Sequence, residues 1–501
     1  MRVILAGYNV DARVIDELKK NSPGREDITP ETISASYARI SRDPRPVDEL
    51  RQEARAEVER ARRSNRNIIF KMGHHSVAEH AVFNFDIIGV SRLAVEAIER
   101  FRLCSFTEKS QRYNVLEDDF VVPDEIERSG LEELFITTVK AQNSFYHRAY
   151  QALLPLVFSK YAEPARNPKN RQVLEGLAKE DARYIVSLAT EGQLGMTVNA
   201  RNLELLVRRF AAAGFEELRE LARQMSREVT PVAPSILLFT EATEFDSATY
   251  PALAAAAAGS GFELESRAPA ARRGKRVNLV EHTPGGDERI LAALLHTVSG
   301  QPYSRCLDWA FKAGRKEKKK IFMDCCERME FFDFPPREFE HAELIFELVV
   351  SASCFAQFKR HRMATLTAQL YDPALGVTVP ESVKEAGLEK DFLEVVGLTE
   401  AAHRRLAGKA GRAADYVLTN AHRRRLLLKL NMRELYHVSR LREDATAQWE
   451  IREVSAGMSR LARKAMPLAG MLLGGKDAYP EIYAGIFGKP PKTLPPPRFA
   501  G

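Results

Sequence analysis

HAVFNFDIIGVSRLAVEAIERFR, residues 80–102, and HAELIFELVVSASCFAQFKRHR, residues 341–362, decide how the rest of the chain is read. Each opens on a Glu-His-Ala triplet, Glu79-His80-Ala81 and Glu340-His341-Ala342. Each closes on Arg-x-Arg, Arg100-Phe101-Arg102 and Arg360-His361-Arg362. The offsets are 340 − 79 = 261 and 360 − 100 = 260. Further on, TVNARNLELL around Asn199 matches KLNMRELYHV around Asn431, at an offset of 431 − 199 = 232. Three matches in one order, with the second copy shorter between them, read as a tandem duplication. Phe83, Phe85 and Ile87 alternate with polar Asn84 and Asp86, and Leu344, Phe346 and Leu348 repeat that alternation. Period two is the mark of a half-buried strand. Leu93, Ala94, Ala97, Ile98 and Phe101 then recur at helical spacing, which places Arg-x-Arg on the last turn of a helix that follows a strand. Cations there complement the negative end of the helix dipole. Taken alone, an Arg-x-Arg at that place needs no explanation beyond a capped helix end.

The 501 residues exceed what one hydrophobic core usually fills. The repeat divides them into a first unit at 1–250, a linker at 251–275, a second unit at 276–490 and a Pro-rich tail at 491–501. The linker is dominated by Ala, Gly, Ser and Arg, with few residues able to anchor a core. Helical stretches are expected at 131–162, 203–228 and 401–430, so the class is α/β: two repeated units, each a small sheet with many helices. Content of 45% hydrophobic and 28% charged residues is that of an ordinary soluble protein. No apolar run reaches membrane-spanning length, and MRVILAGYNVD reads as a first strand, not a secretion signal. The five cysteines form no CxxC pair and no metal-ligand spacing, which fits reduced thiols in a cytosol and no metal site. A net charge of +6 suits small anionic ligands such as nucleotides. No aromatic-basic interleaving points to nucleic acid.

With these residues in view, both halves resemble the flavin-dependent thymidylate synthases, the ThyX family. Their hallmark is RHR followed by seven residues and Ser, in the fuller form RHRxxSxNExSxRY. The first half reads RFRLCSFTEKSQRY from Arg100 to Tyr113, losing only the His, to Phe101, and the Asn, to Thr107. GHHSVAEHAVFNF from Gly73, ARIS from Ala38 to Ser41, and AQWEIR from Ala447 to Arg452 also resemble family strings. The resemblance implies conversion of dUMP to dTMP, a methyltransferase activity. FAD reduced by NADPH would supply electrons and methylenetetrahydrofolate the carbon. It further implies sites shared between subunits of a homotetramer, with the RHR side from one subunit and the ExSxR side from its neighbour.

Carried over residue by residue, the resemblance divides the site between the halves. The second half keeps Arg360, His361 and Arg362, with Gln357 at a dUMP-contacting position. Asn431, Arg433, His437 and Arg442 fit the N-x-R…R element, the first three toward FAD and Arg442 toward dUMP. Its loop has Ala368, Leu370 and Asp372 where the family has Glu, Ser and Arg. The first half keeps Glu108, Ser110 and Arg112 on that loop, Arg183 at another dUMP arginine, and Ser41, Ser76 and Glu79 at flavin-side positions. It has Ala97, Phe101 and Phe210 where the family has Gln, His and the second nucleotide Arg. Asp415 stands at the place of Arg183, and Arg337 at that of Ser76.

The losses are complementary, so one composite site is expected. Gln357, Arg360, Arg362 and Arg442 would come from the second half, and Glu108, Ser110, Arg112 and Arg183 from the first. Ser110 and Arg112 would work at the reacting uracil, and Arg360 would face both dUMP and FAD. Arginine suits phosphate because its planar fork bonds two oxygens at once. A homodimer would imitate the family tetramer. The alternative is a catalytically inactive protein that binds flavin or nucleotide.

Overall fold

The computed structural model describes residues 1–22, 43–57, 79, 81–232, 240–263 and 275–499. The chain forms two compact units. One contains Met1–Ala162, Arg171–Ala268 and Val379–Asn420. The other contains Glu163–Asn170, Pro269–Thr378 and Ala421–Gly501.

In the first unit, β1 (Arg2–Tyr8), β2 (Val82–Ser91), β4 (Glu191–Asn199) and β3 (Cys104–Glu108) lie in the order β1-β2-β4-β3, all antiparallel. The period-two residues Phe83, Phe85 and Ile87 face the core. They meet Leu194, Met196 and Val198 of β4 and Leu203, Leu206 and Phe210 of the helix Ala200–Ala211. Asn199 caps that helix, its side chain accepting from Asn202 N–H. The single helix expected over 203–228 is two, Ala200–Ala211 and Glu216–Val229, because Gly214 and a half-turn break the run. At Gly89 the β2–β4 register slips by one residue. Its φ of +72° is a conformation that glycine takes without strain.

The second unit repeats the sheet as β5 (Val277–His282), β6 (Glu343–Ser351), β8 (Arg423–Asn431) and β7 (Thr365–Ala368), in the order β5-β6-β8-β7. Leu344, Phe346 and Leu348 are buried against Leu426, Leu428 and Leu430. Here the expectation of helix through 401–430 fails. The helix runs Glu389–Ala410, a 3-10 segment follows, and RRRLLLKLN is strand β8. Arg, Leu and Lys are good helix formers. The alternation of buried Leu426, Leu428 and Leu430 with more exposed residues outweighs that propensity once β6 and β7 flank the strand.

Residues 379–420 belong to the second copy by sequence but pack within the first unit. The helix Glu389–Ala410 lies on the helix Glu132–Lys160. Phe145 meets Phe392 edge-on at 5.7 Å, and Gln142 Nε2 donates to Thr399 Oγ1 at 2.8 Å and to the Val417 carbonyl at 2.9 Å. Leu188 N–H donates to Leu418 O, and Asn420 N–H to Val186 O. These pairs obey 418 − 186 = 420 − 188 = 232, the offset already seen between Asn199 and Asn431. Corresponding pieces of the two copies therefore pair with each other about a local two-fold inside this unit. The stretch read as a linker begins as helix: Glu244–Gly259 is capped by Thr243 and buries none of its residues. No helix among the described residues is long and apolar enough to cross a membrane.

Candidate functional site

The first unit gathers one side. β3 ends at Glu108, and the ladder continues one step through Lys109 N–H to Gln193 O. The chain then turns tightly at Ser110, whose carbonyl accepts from Asn114 N–H at 3.2 Å while its Oγ accepts from Arg112 N–H at 3.2 Å. Arg112 Nε lies 2.5 Å from Glu180 Oε2. Arg183, on the short turn Arg183–Ile185, is 9% exposed and bonds the Glu180 carbonyl through Nε at 3.4 Å. Burial pushes its guanidinium below the ordinary arginine value, against the pull of Glu180. Asn420 Nδ2 joins the group, donating to Gln111 Oε1 and to the Arg183 carbonyl, both at 3.1 Å. Lys179 Nζ donates to Tyr113 O at 3.1 Å. Ser110, Gln111, Arg112 and Arg183 are thus brought together on one loop and one helix end, with Glu180 against Arg112, and Glu108 ends the strand before them. Glu180 and Asn420 escaped the sequence reading. Glu180 stands one helical turn before Arg183, the only hint available; Asn420 had none.

The second unit gathers the other side. Ser351 caps the helix Ala352–Phe358, and Arg360-His361-Arg362 follow in a turn. The expected placing on the helix's last turn is thus off by two residues, as it is for Arg100 after Ile98. His361 is 4% exposed. Its Nε2 accepts from Arg442 Nε at 2.9 Å, and its Nδ1 lies 3.5 Å from Glu434 Oε1. An arginine only donates, so the ring proton sits on Nδ1. Burial, then the Arg442 and Arg360 charges, hold the imidazole well below its ordinary pKa, so at neutral pH it is uncharged and its contact with Glu434 is no ion pair. Arg442 also bonds the Gln357 carbonyl at 3.3 Å. His437 packs edge-on to His361 at 5.4 Å and stacks on Phe334, and burial lowers its pKa as well. Asn431 caps the helix Met432–Arg442, and Arg433 reaches Pro335 O and Glu340. Gln357, His361, His437 and Arg442 are thereby brought together, while Arg360 and Arg362 are exposed.

Both imidazoles have folded pKa values below the ordinary 6.5, so the unfolded chain takes up their protons first. Stability is then full above that value and falls as pH drops through it, by up to about 1.4 kcal/mol per pH unit for each ring. Urea unfolding between about pH 7.5 and about 5.5 should show a falling midpoint, and His361→Phe should remove the larger share of that slope.

Flavin-side positions are split. Ser41 and Ser76 lie outside the described residues. Glu79 pairs with Arg201 at 3.0 Å and lines a cleft of about 350 Å³ in the first unit. Its counterpart Glu340 lines one of about 590 Å³ in the second, with Arg337 and the rings of His296, Tyr303 and His341.

The positions that the copies lost are filled. Phe101 meets Phe210 edge-on at 5.5 Å and 88°. These are the places of His361 and Arg442 in the other copy, so a polar pair has become an aromatic one. At the second copy's loop, Arg424 of β8 is sandwiched between Phe355 at 4.5 Å and Tyr371 at 4.3 Å and donates twice to Gln369 O. Asp372 is spent on capping the turn Pro373–Leu375. Asp415 bonds His403 at 3.1 Å.

A family model described as Thymidylate synthase complementing protein matches the chain twice, over residues 26–235 and 278–468. A flavin-dependent thymidylate synthase of Clostridium tetani is 32% identical over 216 residues, 42% of this chain and 82% of that protein. A UPF0159 protein of Chlamydia muridarum is 25% identical over 433 residues, 82% of this chain and 80% of its own length. That match runs through both copies. A Helicobacter pylori flavin-dependent thymidylate synthase, solved with FAD and dUMP, aligns at 16% identity over 38% of this chain and 98% of its own, with a TM-score of 0.30.

Proposed function

The chain belongs to the Thymidylate synthase complementing protein family, the flavin-dependent thymidylate synthases, and on that premise we propose that it converts dUMP to dTMP through one composite site per chain. The observation that carries this reading is the exchange of His361–Arg442 for Phe101–Phe210. Decay without selection would not replace both members of a bonded pair by two rings that pack together. The losses sort by side of the site: the first copy abandons the RHR side and the second, where Arg424 of β8 stacks on the loop's Tyr371, abandons the ExSxR side.

The donor set fits the implied ligands. Gln357 Nε2 is buried with no hydrogen-bond partner among the described residues, and Arg360, Arg362, Arg433 and Arg442 supply cations for phosphates. When bound, FAD reduced by NADPH supplies the electrons of the reaction, and methylenetetrahydrofolate is the carbon donor. Arg112 and Arg183 of the first unit hold phosphate or pyrimidine oxygens. Ser110 and Glu108 bond near the reacting ring. Gln357, Arg360 and Arg442 complete the nucleotide's surroundings from the second unit. Arg360, His361, Arg362, Asn431, Arg433 and His437 bind FAD, with Glu79, Ser76 and Ser41 on the flavin side. Ser110 is a binding group and not a nucleophile, because no histidine base adjoins it among the described residues. Neutral His361 accepts from Arg442 and so orients that guanidinium. A homodimer supplies four family-like units.

A protein that binds flavin or nucleotide without turnover has one observation in its favour. Gln111, where the family has a small residue, is fixed beside Ser110 by Asn420. Purified protein should retain yellow FAD, oxidise NADPH when dUMP is added, and form dTMP with methylenetetrahydrofolate. A flavin-loaded preparation that makes no dTMP sinks the synthase reading and leaves the binding one.

A further inference from the structure

The AQWEIR string, Ala447 to Arg452, takes no part in the site described above. Gln448 caps the helix Trp449–Ala465 by accepting from Glu450 N–H at 3.1 Å and Ile451 N–H at 3.2 Å. That cap turns Glu450, the helix's second residue, into the interior, where it is wholly buried. Its carboxylate accepts from Ser351 N–H at 3.2 Å and Thr378 Oγ1 at 3.2 Å, and in shorter contacts from Ser351 Oγ and Arg276. Ser351 is itself the cap of the helix Ala352–Phe358, accepting from Cys354 N–H at 3.1 Å. All seven residues of that helix are buried, so it has no slack in which to absorb a shift at its start. Its far end runs into Arg360-His361-Arg362 through the bonds Lys359 N–H to Phe355 O and His361 N–H to Phe358 O.

We propose that Glu450 is a positioning residue: from outside the site it fixes the helix start that sets where the Arg360-His361-Arg362 turn stands, and so sets flavin affinity. The consequence for flavin rests on the function proposed above; the geometry does not. The first unit supplies a built-in comparison. Glu217, the second residue of the helix Glu216–Val229, accepts from Ser91 N–H, Ser91 Oγ and Tyr416 Oη, each at 2.7 Å. Ser91 caps the helix Arg92–Ile98. The grip on the capping serine is the same, with Tyr416 where Glu450 has Thr378 and Arg276, but the helix that it holds runs into Arg100-Phe101-Arg102, where the aromatic pair has replaced the bonded His and Arg. A merely structural role would make the two glutamates equivalent.

Glu450→Gln and Glu217→Gln, with Ser351→Ala as a second break of the same clamp, separate the roles. Each is read by amide hydrogen exchange without flavin and by FAD titration. Glu450→Gln and Ser351→Ala should speed exchange at residues 359–364 and weaken FAD binding by at least about tenfold, the weight of one charge-assisted hydrogen bond. Glu217→Gln should speed exchange at residues 99–104 and leave FAD affinity within about twofold. Unchanged exchange at 359–364 overturns the proposal. So does faster exchange there with FAD affinity unaltered, or an equal loss of FAD affinity in Glu217→Gln. If unmutated protein binds no FAD, it is the synthase reading that falls, and the exchange arm alone decides whether Glu450 positions the turn.

Discussion

Arg112→Ala should weaken dUMP binding by on the order of 100-fold, the upper range for losing a bidentate charge-assisted contact, while Arg102→Ala should leave it within about twofold. Both residues are arginines of one string, RFRLCSFTEKSQR, ten positions apart. What separates them is the surroundings. Arg112 is held at 2.5 Å by Glu180 beside buried Arg183, so its fork is oriented before any ligand arrives. Preorganisation of that kind turns contact into affinity. Arg102 belongs to the side on which Phe101 and Phe210 have closed together. Removing Arg112 also leaves the 5% exposed Glu180 side chain without its cation, so part of the damage will be to local stability. Arg112→Lys separates the two effects, since it restores charge but not the two-pronged geometry, and should recover stability more than affinity. Titration with dUMP, alongside thermal melting of each variant, reads all three. Equal losses in Arg112→Ala and Arg102→Ala would mean that the site is not asymmetric.

Much of this was legible in the residues. The strands β2 and β6 follow from alternation; burial obeys it at Leu344, Phe346 and Leu348, whereas in β2 polar Asp86 is wholly buried between Phe85 and Ile87 and pairs with Arg51 at 2.8 Å. The repeat follows from spacing, and the 232-residue offset reappears as physical pairing between Val186–Leu188 and Leu418–Asn420. What could not be read was whatever depends on contacts far apart in sequence. RRRLLLKLN has the composition of a helix, and only its position between β6 and β7 makes it a strand. Segment 379–420 follows the second copy in sequence but finds its buried partners, Gln142 and Phe145, on a helix of the first. The fates of the lost positions were equally hidden. A sequence shows that Phe101 is not His; it does not show that Phe101 has found Phe210, or that Arg424 has been stacked between Phe355 and Tyr371.

One pair of equivalent positions should respond in opposite ways to the same substitution. Phe210→Ala should cost about 3–5 kcal/mol of stability, the usual range for emptying a buried aromatic site, and leave dUMP affinity unchanged in the molecules that remain folded. Phe210 is 5% exposed, lies in the core with Leu203, Leu206 and Leu221, and loses its edge-on partner Phe101 as well. Arg442→Ala, at the matching place in the second copy, should cost within about 1 kcal/mol of stability, as for residues outside the core. Arg442 is only half-buried, and it bonds polar groups, His361 Nε2 and the Gln357 carbonyl. Its loss should instead weaken dUMP binding by roughly 10- to 100-fold. It should also raise the His361 pKa, because the Arg442 charge is one of the causes that hold it down. Urea unfolding gives the stabilities, titration with dUMP the affinities, and NMR of the imidazole the last effect. The reverse graft, Phe101→His with Phe210→Arg, places a charge among the apolar side chains of the first core and should unfold that unit before it binds anything. If the graft instead folds and gains a second equivalent of dUMP per chain, the first copy's abandoned side was never closed, and the sorting of losses that supports a single composite site is lost with it.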